Sequence, residues 1–402
     1  MLTAYTILQK LLNGRRDMKI LHTVEYYDPS VGGAQEVVKQ LSEHMVMLGH
    51  DVTVATTKLP NRRKKVINGV KIKEFDISGN EVRGYAGKDI AKYKQFLIKG
   101  EFDVIMNYAA QQWATDLTFN VLDKIKAVKI LAPCGFSALG HSAFRNYFDN
   151  LEKILPKYDG VVFTSNTYKD YEFAANIIKR KCYIIPNGAS EVEFSKIKPS
   201  DNIKHKLGIN VSDSIILNVS SHVLSKGHSE TIKIFSRAKL KNGNLVIVGN
   251  TIPSEEDCTS RCQNTVSKFN GSILRLFDHK KIYLLSVSRN KTVDLFKSSD
   301  IFLFTSRVEC SPLVLCEAFA AGLPVITYRV GNSEEMVTDS QAGLLIHNIA
   351  DGAVALETIL NNDEQRSKFA KKGRSYWEKK LRWDTISSRY EKLYISLKQT
   401  NN

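Results

Sequence analysis

Two glutamates, Glu309 and Glu317, stand eight positions apart in "SRVECSPLVLCEAFAAGLPVIT", residues 306–327. Pro312 suits the first turn of a helix, where no backbone hydrogen bond is lost. Gly322 suits the left-handed residue just past a helix end. Between them the residues are apolar almost all round, so the helix is expected to be buried. A buried carboxylate costs several kcal/mol unless something compensates it, so Glu317 needs a partner in the protein or in a ligand. Glu309 precedes the helix, and its carboxylate can lie beside the amino-terminal amides. As ligand groups, the two carboxylates could each accept two hydroxyl hydrogen bonds. The plainer alternative is a helix cap at Glu309 and a structural ion pair at Glu317.

Two further segments offer groups for an anion. "NVSSHVLSKGHSE" carries Ser221, Lys226 and Gly227 after an apolar strand. A lysine at a strand-to-helix junction can neutralise a phosphate, although an exposed loop lysine is the simpler account. "YDPSVGGAQEVV" places Gly32 and Gly33 before a helix. Glycines there admit a ligand close to the backbone, and helix-terminal amides favour anions. Equally, a Gly-Gly pair at such a turn can be purely geometric. No Gly-x-Gly-x-x-Gly dinucleotide fingerprint occurs at this turn.

The elements that must position these groups alternate between strand and helix in two halves, which implies an α/β protein with parallel sheets. In the first half "MKILHTVEYY", "DVTVATT", "FDVIMNY", "AVKILAP", "YDGVVFTS" and "KCYIIPNG" read as strands. Val37, Val38, Leu41, Met45 and Leu48 line one face of the first helix at helical spacing. The second half restarts with "SIILNVSS" and continues through "NLVIVGN", "KIYLLSV", "DIFLFTS" and "PVITYR". "PNGASEVEFSKIKPSDN" between them reads as a hinge. The expected organisation is an extension over 1–17, a first domain over 18–195 and a second over 205–382. A final helix, 383–400, is expected to pack on the fold, and the polar stretch 251–272 reads as an insertion outside the core.

The chain has 402 residues, 43% apolar and 25% charged, an ordinary balance for a globular protein of two domains. No apolar run approaches the roughly 20 residues of a spanning helix, and the first 17 residues lack a signal peptide's order. Six scattered cysteines, Cys134, Cys182, Cys258, Cys262, Cys310 and Cys316, read as free thiols of a reducing, cytoplasmic compartment. Cys258 and Cys262 lie four apart, but no second pair or nearby histidine completes a zinc set in the sequence. The net charge of +15 favours polyanions. Its densest cluster, Arg62, Arg63, Lys64 and Lys65 in "NRRKK", falls in an expected loop. It could meet an anionic membrane face, or form an ordinary solvated surface. Nucleic acid is the weaker partner, because no aromatic residues interleave the basic ones.

Taken together these segments resemble the retaining, nucleotide-sugar-dependent glycosyltransferases of family four, from about Met18 to the final helix. Glu309 to Glu317 matches that family's Glu-X7-Glu motif, followed by "EAFAAGLPVIT" and "VGNSEEMV"; "IIPNGASEVEF" and "LVIVGN" match further signatures. The resemblance implies the GT-B fold, two Rossmann-like domains whose parallel sheets face a central cleft, with the acceptor domain first and the nucleotide-sugar donor domain second. It implies that Glu309 holds hydroxyls of the transferred sugar and Glu317 those of the ribose. The amides of Leu313 and Val314, after Ser311 and Pro312, would bind the diphosphate with Lys226, and Gly33 would close over the sugar phosphate. The expected donor is a UDP-sugar and the expected acceptor a glycan or a lipid-linked one of a surface polysaccharide. No Asp-X-Asp occurs in the sequence, so neither a metal nor another cofactor is expected.

Two departures stand out. Ser220 and Ser221 occupy the place of a family arginine, for which Arg307 could substitute. Where the family has a histidine after "KILAPCGF", this chain has Pro133, Cys134 and Gly135; His141, a few residues on, is the candidate to replace it as a catalytic group beside Glu309 and Lys226. Those departures keep open a nucleotide-sugar-binding protein without catalysis, and a GT-B epimerase or hydrolase is the other rival.

Overall fold

The computed structural model describes residues 17–178, 181–196, 202–240, 242–251, 256–273 and 279–401. The expected extension lies outside them except for Asp17. The chain divides into two compact units, one running to Pro186 and resuming at Trp383, the other spanning Asn187–Arg382. The first boundary thus falls before residue 195, where the sequence placed it. The Asn187 side chain donates to Ser311 O at 3.0 Å, Ala189 N bonds Leu381 O at 2.9 Å, and the Phe194 ring packs on Phe296. These contacts assign the segment to the second unit.

In the first unit, β1 (Lys19–Thr23), β2 (Asp51–Thr57), β3 (Val66–Ile67) and β4 (Val70–Phe75) precede a small hairpin, β5 (Ser78–Asn80) and β6 (Gly84–Ala86). Then follow β7 (Val104–Tyr108), β8 (Val128–Ala132), β9 (Gly160–Phe163) and β10 (Cys182–Ile184). The main sheet has the order β10-β9-β8-β7-β1-β2-β4-β3 and is parallel except for the β3–β4 pair. The central strands are buried on both faces, which is why they read as continuous apolar runs. β4, "VKIKEF", instead alternates buried with exposed residues near the sheet edge, and a search for apolar runs passes over it. The helix Trp383–Asn401 belongs to this unit, with Tyr394 Oη 3.1 Å from His22 Nε2 and Glu391 3.1 Å from His50 Nε2.

The second unit contains β11 (Ser214–Val219), β12 (Gly243–Val248), β13 (Lys281–Leu285), β14 (Ile301–Phe304), β15 (Val325–Tyr328) and β16 (Gly343–Ile346). They form one wholly parallel sheet in the order β13-β12-β11-β14-β15-β16. Alternate residues feed cores on opposite faces: Ile215, Leu217, Phe302 and Phe304 on one side, Ile216, Ile301 and Leu303 on the other. The chain winds one way from β11 to β12 and β13, then the other way to β14, β15 and β16. The loops leaving β11 and β14 therefore diverge at the switch in strand order, the place where open α/β sheets bind ligands.

The polar stretch expected as an excursion contributes to this core. Within 251–272, residues 252–255 lie outside the described residues, but Thr259–Asn270 is a helix. Cys258, Cys262 and Val266 are buried at every fourth position, one narrow stripe that the surrounding polar residues conceal. Among the described residues no helix is long and apolar enough to cross a membrane.

Candidate active site

The loop after β11 closes in a short turn, Leu224–Lys226, before the helix His228–Arg237. Gly227 adopts φ 70°, and a Cβ there would lie 2.1 Å from Thr305 O, so a side chain would drive the turn off the end of β14. Thr305 Oγ1 donates to Gly227 O at 2.8 Å, and Arg307 N donates to Ser225 O at 2.8 Å. This stitching brings Lys226 to Glu309: Nζ is 2.6 Å from Oε1, with side chains 27% and 16% exposed. Ser221 lies half-buried in the same loop, its carbonyl accepting from Val223 N at 2.8 Å.

The segment "VGNSEEMV" buttresses Glu309 from behind. A Cβ on Gly331 would sit 2.3 Å from Cys310 O and 2.8 Å from Glu309 O. Asn332 N donates to Cys310 O at 2.9 Å, and its side chain donates to Ser311 Oγ at 3.2 Å. The helix itself spans Leu313–Ala321, with Pro312 as its cap residue rather than inside its first turn, and Gly322 left-handed at φ 74°. No side chain caps its amino terminus among the described residues. First-turn N–H groups have no partner within a helix, so those of Leu313 and Val314, four and five residues after Glu309, are left without an intrahelical acceptor.

Glu317, 5% exposed, has the partner that its burial demands. Arg289 Nη2 lies 2.5 Å from Glu317 Oε1, and the same guanidinium grips Glu193 through Nε at 2.9 Å and Nη2 at 2.6 Å. Burial alone would lower the Arg289 pKa, but Glu317 and then Glu193 outweigh it and hold the guanidinium above its usual value. The arginine at Glu317 is thus Arg289. Arg307, the substitute expected from sequence, instead binds Glu230 through Nε at 3.1 Å and Nη2 at 2.5 Å, with its side chain 62% exposed.

In the first unit, Gly32 is extended and caps the helix Gly33–Met47. A Cβ built on Gly33 would meet no atom within 4 Å, so backbone geometry does not explain that glycine. His141 is exposed, and its Nδ1 accepts from Ala143 N at 3.2 Å, capping the turn Ser142–Phe144. The loops leaving β7 and β8 hold several non-glycine residues in the left-handed region: Ala109 and Gln111 at φ 64°, Cys134 at 58° and Phe136 at 41°. Such strain gathers at functional sites. Beside it lies an acid that sequence reasoning missed. Asp116, buried in the helix Trp113–Phe119, accepts from the Tyr147 hydroxyl at 2.8 Å and from Gln111 N and Glu81 N at 3.2 Å. Burial pushes its carboxyl up to about 7 against those three donors. The signal was a lone acid in an apolar helix, the same one that marks Glu317.

Two expectations need correction. Arg62 is a buried structural cation rather than part of a membrane-facing patch. It pairs with Glu74 at 2.8 Å and donates to Asp28 O, Thr57 O and Tyr27 O. Lys65 also binds Glu74, at 2.6 Å, which leaves Arg63 and Lys64 as the exposed remainder of the run. The second concerns Cys258 and Cys262, which do have histidines at hand: His222 and His228 share their buried cluster.

Residues 199–376 match the family model described as "Glycosyl transferases group 1", and residues 31–191 that described as "Glycosyltransferase Family 4". The N-acetyl-alpha-D-glucosaminyl L-malate synthase of Bacillus anthracis is 24% identical over 92% of this chain and 95% of its own. The lipopolysaccharide 1,2-N-acetylglucosaminetransferase of Salmonella typhimurium is 23% identical over 62% of this chain and 64% of its own. Anabaena HepE, solved in complex with UDP and glucose, superposes with a TM-score of 0.74 at 15% identity, covering 94% of this chain and 100% of that one. With the two models matching both units and the sheets wound as described, the chain is a glycosyltransferase of the group 1, family 4 type with the GT-B fold.

Proposed function

We propose that the protein transfers a sugar from a UDP-sugar, with retention of anomeric configuration and without a catalytic metal, to a glycan or lipid-linked acceptor of a surface polysaccharide. The observation that carries this reading is the Lys226–Glu309 pair on the β11–β14 switch, with an uncapped helix starting at Leu313 just after Glu309. Departure of UDP builds negative charge on the diphosphate, and preorganised donors stabilise it without reorganising. Lys226 and the N–H groups of Leu313 and Val314 supply that function. Glu309 takes the sugar hydroxyls and Glu317 those of the ribose. In the transfer, the bond from the anomeric carbon to the UDP oxygen breaks, the acceptor oxygen bonds to the same face, and its proton passes to the leaving phosphate. Gly33 keeps the donor-binding role that the resemblance implies, Gly32, Ser221, Ser311 and Pro312 line the donor beside it, and His141 stands in for the catalytic histidine that this chain lacks. The UDP in HepE and the polysaccharide setting of the Salmonella relative support the choice of donor and acceptor.

Calorimetric titration of UDP, GDP and ADP into wild type and Glu317→Ala tests the reading. Selective UDP binding that weakens in the variant supports it, and binding of none of the three by wild type overturns it. Activity retained in excess chelator would support metal independence. Contact with an anionic membrane now rests on Arg63 and Lys64: exchanging both for serine should abolish liposome binding at low salt, and unchanged binding removes that contact.

A further inference from the structure

Four soft ligands converge on the second unit away from the glutamate pair. His222 and His228 come from the loop after β11 and the helix it enters; Cys258 is the cap residue of the helix Thr259–Asn270, and Cys262 lies one turn into it. All four are buried, and one ligand atom of each lies within 4.8 Å of the other three. Cys258 Sγ is 3.8 Å from Cys262 Sγ, 3.4 Å from His228 Nδ1 and 4.0 Å from His222 Nδ1. With Zn–S about 2.3 Å and Zn–N about 2.0–2.1 Å, a tetrahedron needs S···S of about 3.8 Å and S···N of about 3.6 Å. The side chains thus already stand at ligand spacing.

The surrounding hydrogen bonds select the tautomer such a site requires. Asn218 Nδ2 donates to Leu303 O at 2.8 Å, so its Oδ1 accepts the Ser220 hydroxyl at 3.1 Å. Ser220 Oγ is then left as an acceptor for His228 Nε2–H at 2.8 Å. His228 Nδ1 is therefore bare and turned toward Cys258. Metal-ligating histidines are oriented in this way, through the nitrogen that does not bind the ion. Ser220 is also one of the two serines standing where the family has arginine, so this departure has a task of its own.

We infer that His222, His228, Cys258 and Cys262 form a structural zinc site. Two histidines and two cysteines are a closed ligand set with no position for water or substrate, which separates this site from catalytic zinc. Binding displaces the two thiol protons, and two thiolates balance the dication, so the buried site carries no net charge. The ion would clamp the loop that bears Lys226 to the helix Thr259–Asn270. Backbone bonds already join them, Leu224 N to Glu256 O at 2.9 Å and Cys258 N to His222 O at 3.3 Å. The site does not depend on the donor or acceptor proposed above.

The test uses the full-length reduced chain, stripped with chelator and titrated with Co2+ under nitrogen. Expected is saturation at about one ion per chain with the intense visible bands of a tetrahedral ion. A thiolate-to-cobalt charge-transfer band should accompany them, and Zn2+ should abolish both. Cys258→Ser should weaken the charge-transfer band, and His228→Ala should lower cobalt affinity at least about tenfold. Should either variant fail to fold, the wild-type titration alone decides. No stoichiometric uptake by wild type, or only the pale spectrum of six-coordinate cobalt, overturns the proposal. So does a chain isolated without reductant that holds a Cys258–Cys262 disulfide and, once reduced, takes up no cobalt.

Discussion

Lys226 Nζ stands 2.6 Å from Glu309 Oε1, so the cation proposed for the diphosphate and the carboxylate proposed for the sugar form one ion pair. An incoming diphosphate must compete with Glu309 for that lysine. The two residues should therefore respond differently to substitution. Lys226→Ala loses a charged hydrogen bond to phosphate, and UDP affinity should fall about 10- to 100-fold. Glu309→Gln releases Lys226, so UDP should bind as well as in wild type or better, while sugar transfer falls at least about tenfold. Calorimetry with UDP beside a transfer assay checks both. Equal weakening of UDP by the two variants would contradict the division of roles.

The Arg289–Glu317 pair makes a separate prediction, because one partner is buried and the other is 40% exposed. Removing the partner of a fully buried charge costs about 3–5 kcal/mol. With a half-exposed guanidinium, Arg289→Ala should cost roughly 2–3 kcal/mol in urea unfolding. For the ligand, the decisive comparison is UDP against 2′-deoxy-UDP. Wild type should prefer UDP by about tenfold, and Glu317→Ala should lose that preference. A preference that survives in the variant would place the ribose elsewhere.

Much of this arrangement was legible in the residues, and what was not has a common physical cause. Glu309 and Lys226 could be located because each sits at a strand-to-helix junction, and Glu317 because it is a lone acid in an apolar helix. Arg289 could not, since its two carboxylates lie on other segments and only the fold brings Glu193 and Glu317 to it. Arg62 misled for the same reason. A run of charge reads as surface, and the partner that buries it, Glu74, is on β4. The His222–His228 and Cys258–Cys262 pairs are separated by some 30 positions and a further strand, so spacing rules for metal sites miss them. Local pattern carries elements and helix-end sites, whereas long-range pairing of charges and ligands needs the topology.

Two glycines separate backbone need from ligand need. Gly227→Ala puts a side chain at positive φ and 2.1 Å from Thr305 O. It should cost about 1–3 kcal/mol and weaken UDP binding, because Lys226 moves with the turn. Gly33→Ala meets no atom within 4 Å, so its melting temperature should match wild type. Any loss of transfer in that variant then reports on the ligand. Thermal unfolding with a transfer assay on both variants distinguishes the cases. A Gly33→Ala enzyme of full activity would return that glycine to mere turn geometry.

Asp116 gives the stability a pH dependence whose sign can be worked out. Burial raises its carboxyl from 3.8 to about 7 in the folded chain. Between those values the folded protein holds a proton that the unfolded chain has released. Stability therefore declines as pH rises through that window, and the contribution is fully present only below the unfolded value. Asp116→Asn removes the titration but keeps an acceptor for the Tyr147 hydroxyl. The stability of wild type relative to this variant should drop by roughly 2–3 kcal/mol between about pH 5 and 8. Urea unfolding of both proteins at the two pH values measures it, and the comparison cancels other groups that titrate alike in both. A difference that stays flat would mean that Tyr147, Gln111 and Glu81 already hold Asp116 ionised. The acid beside the strained β7 loop would then be a fixed charge rather than a proton donor near neutrality.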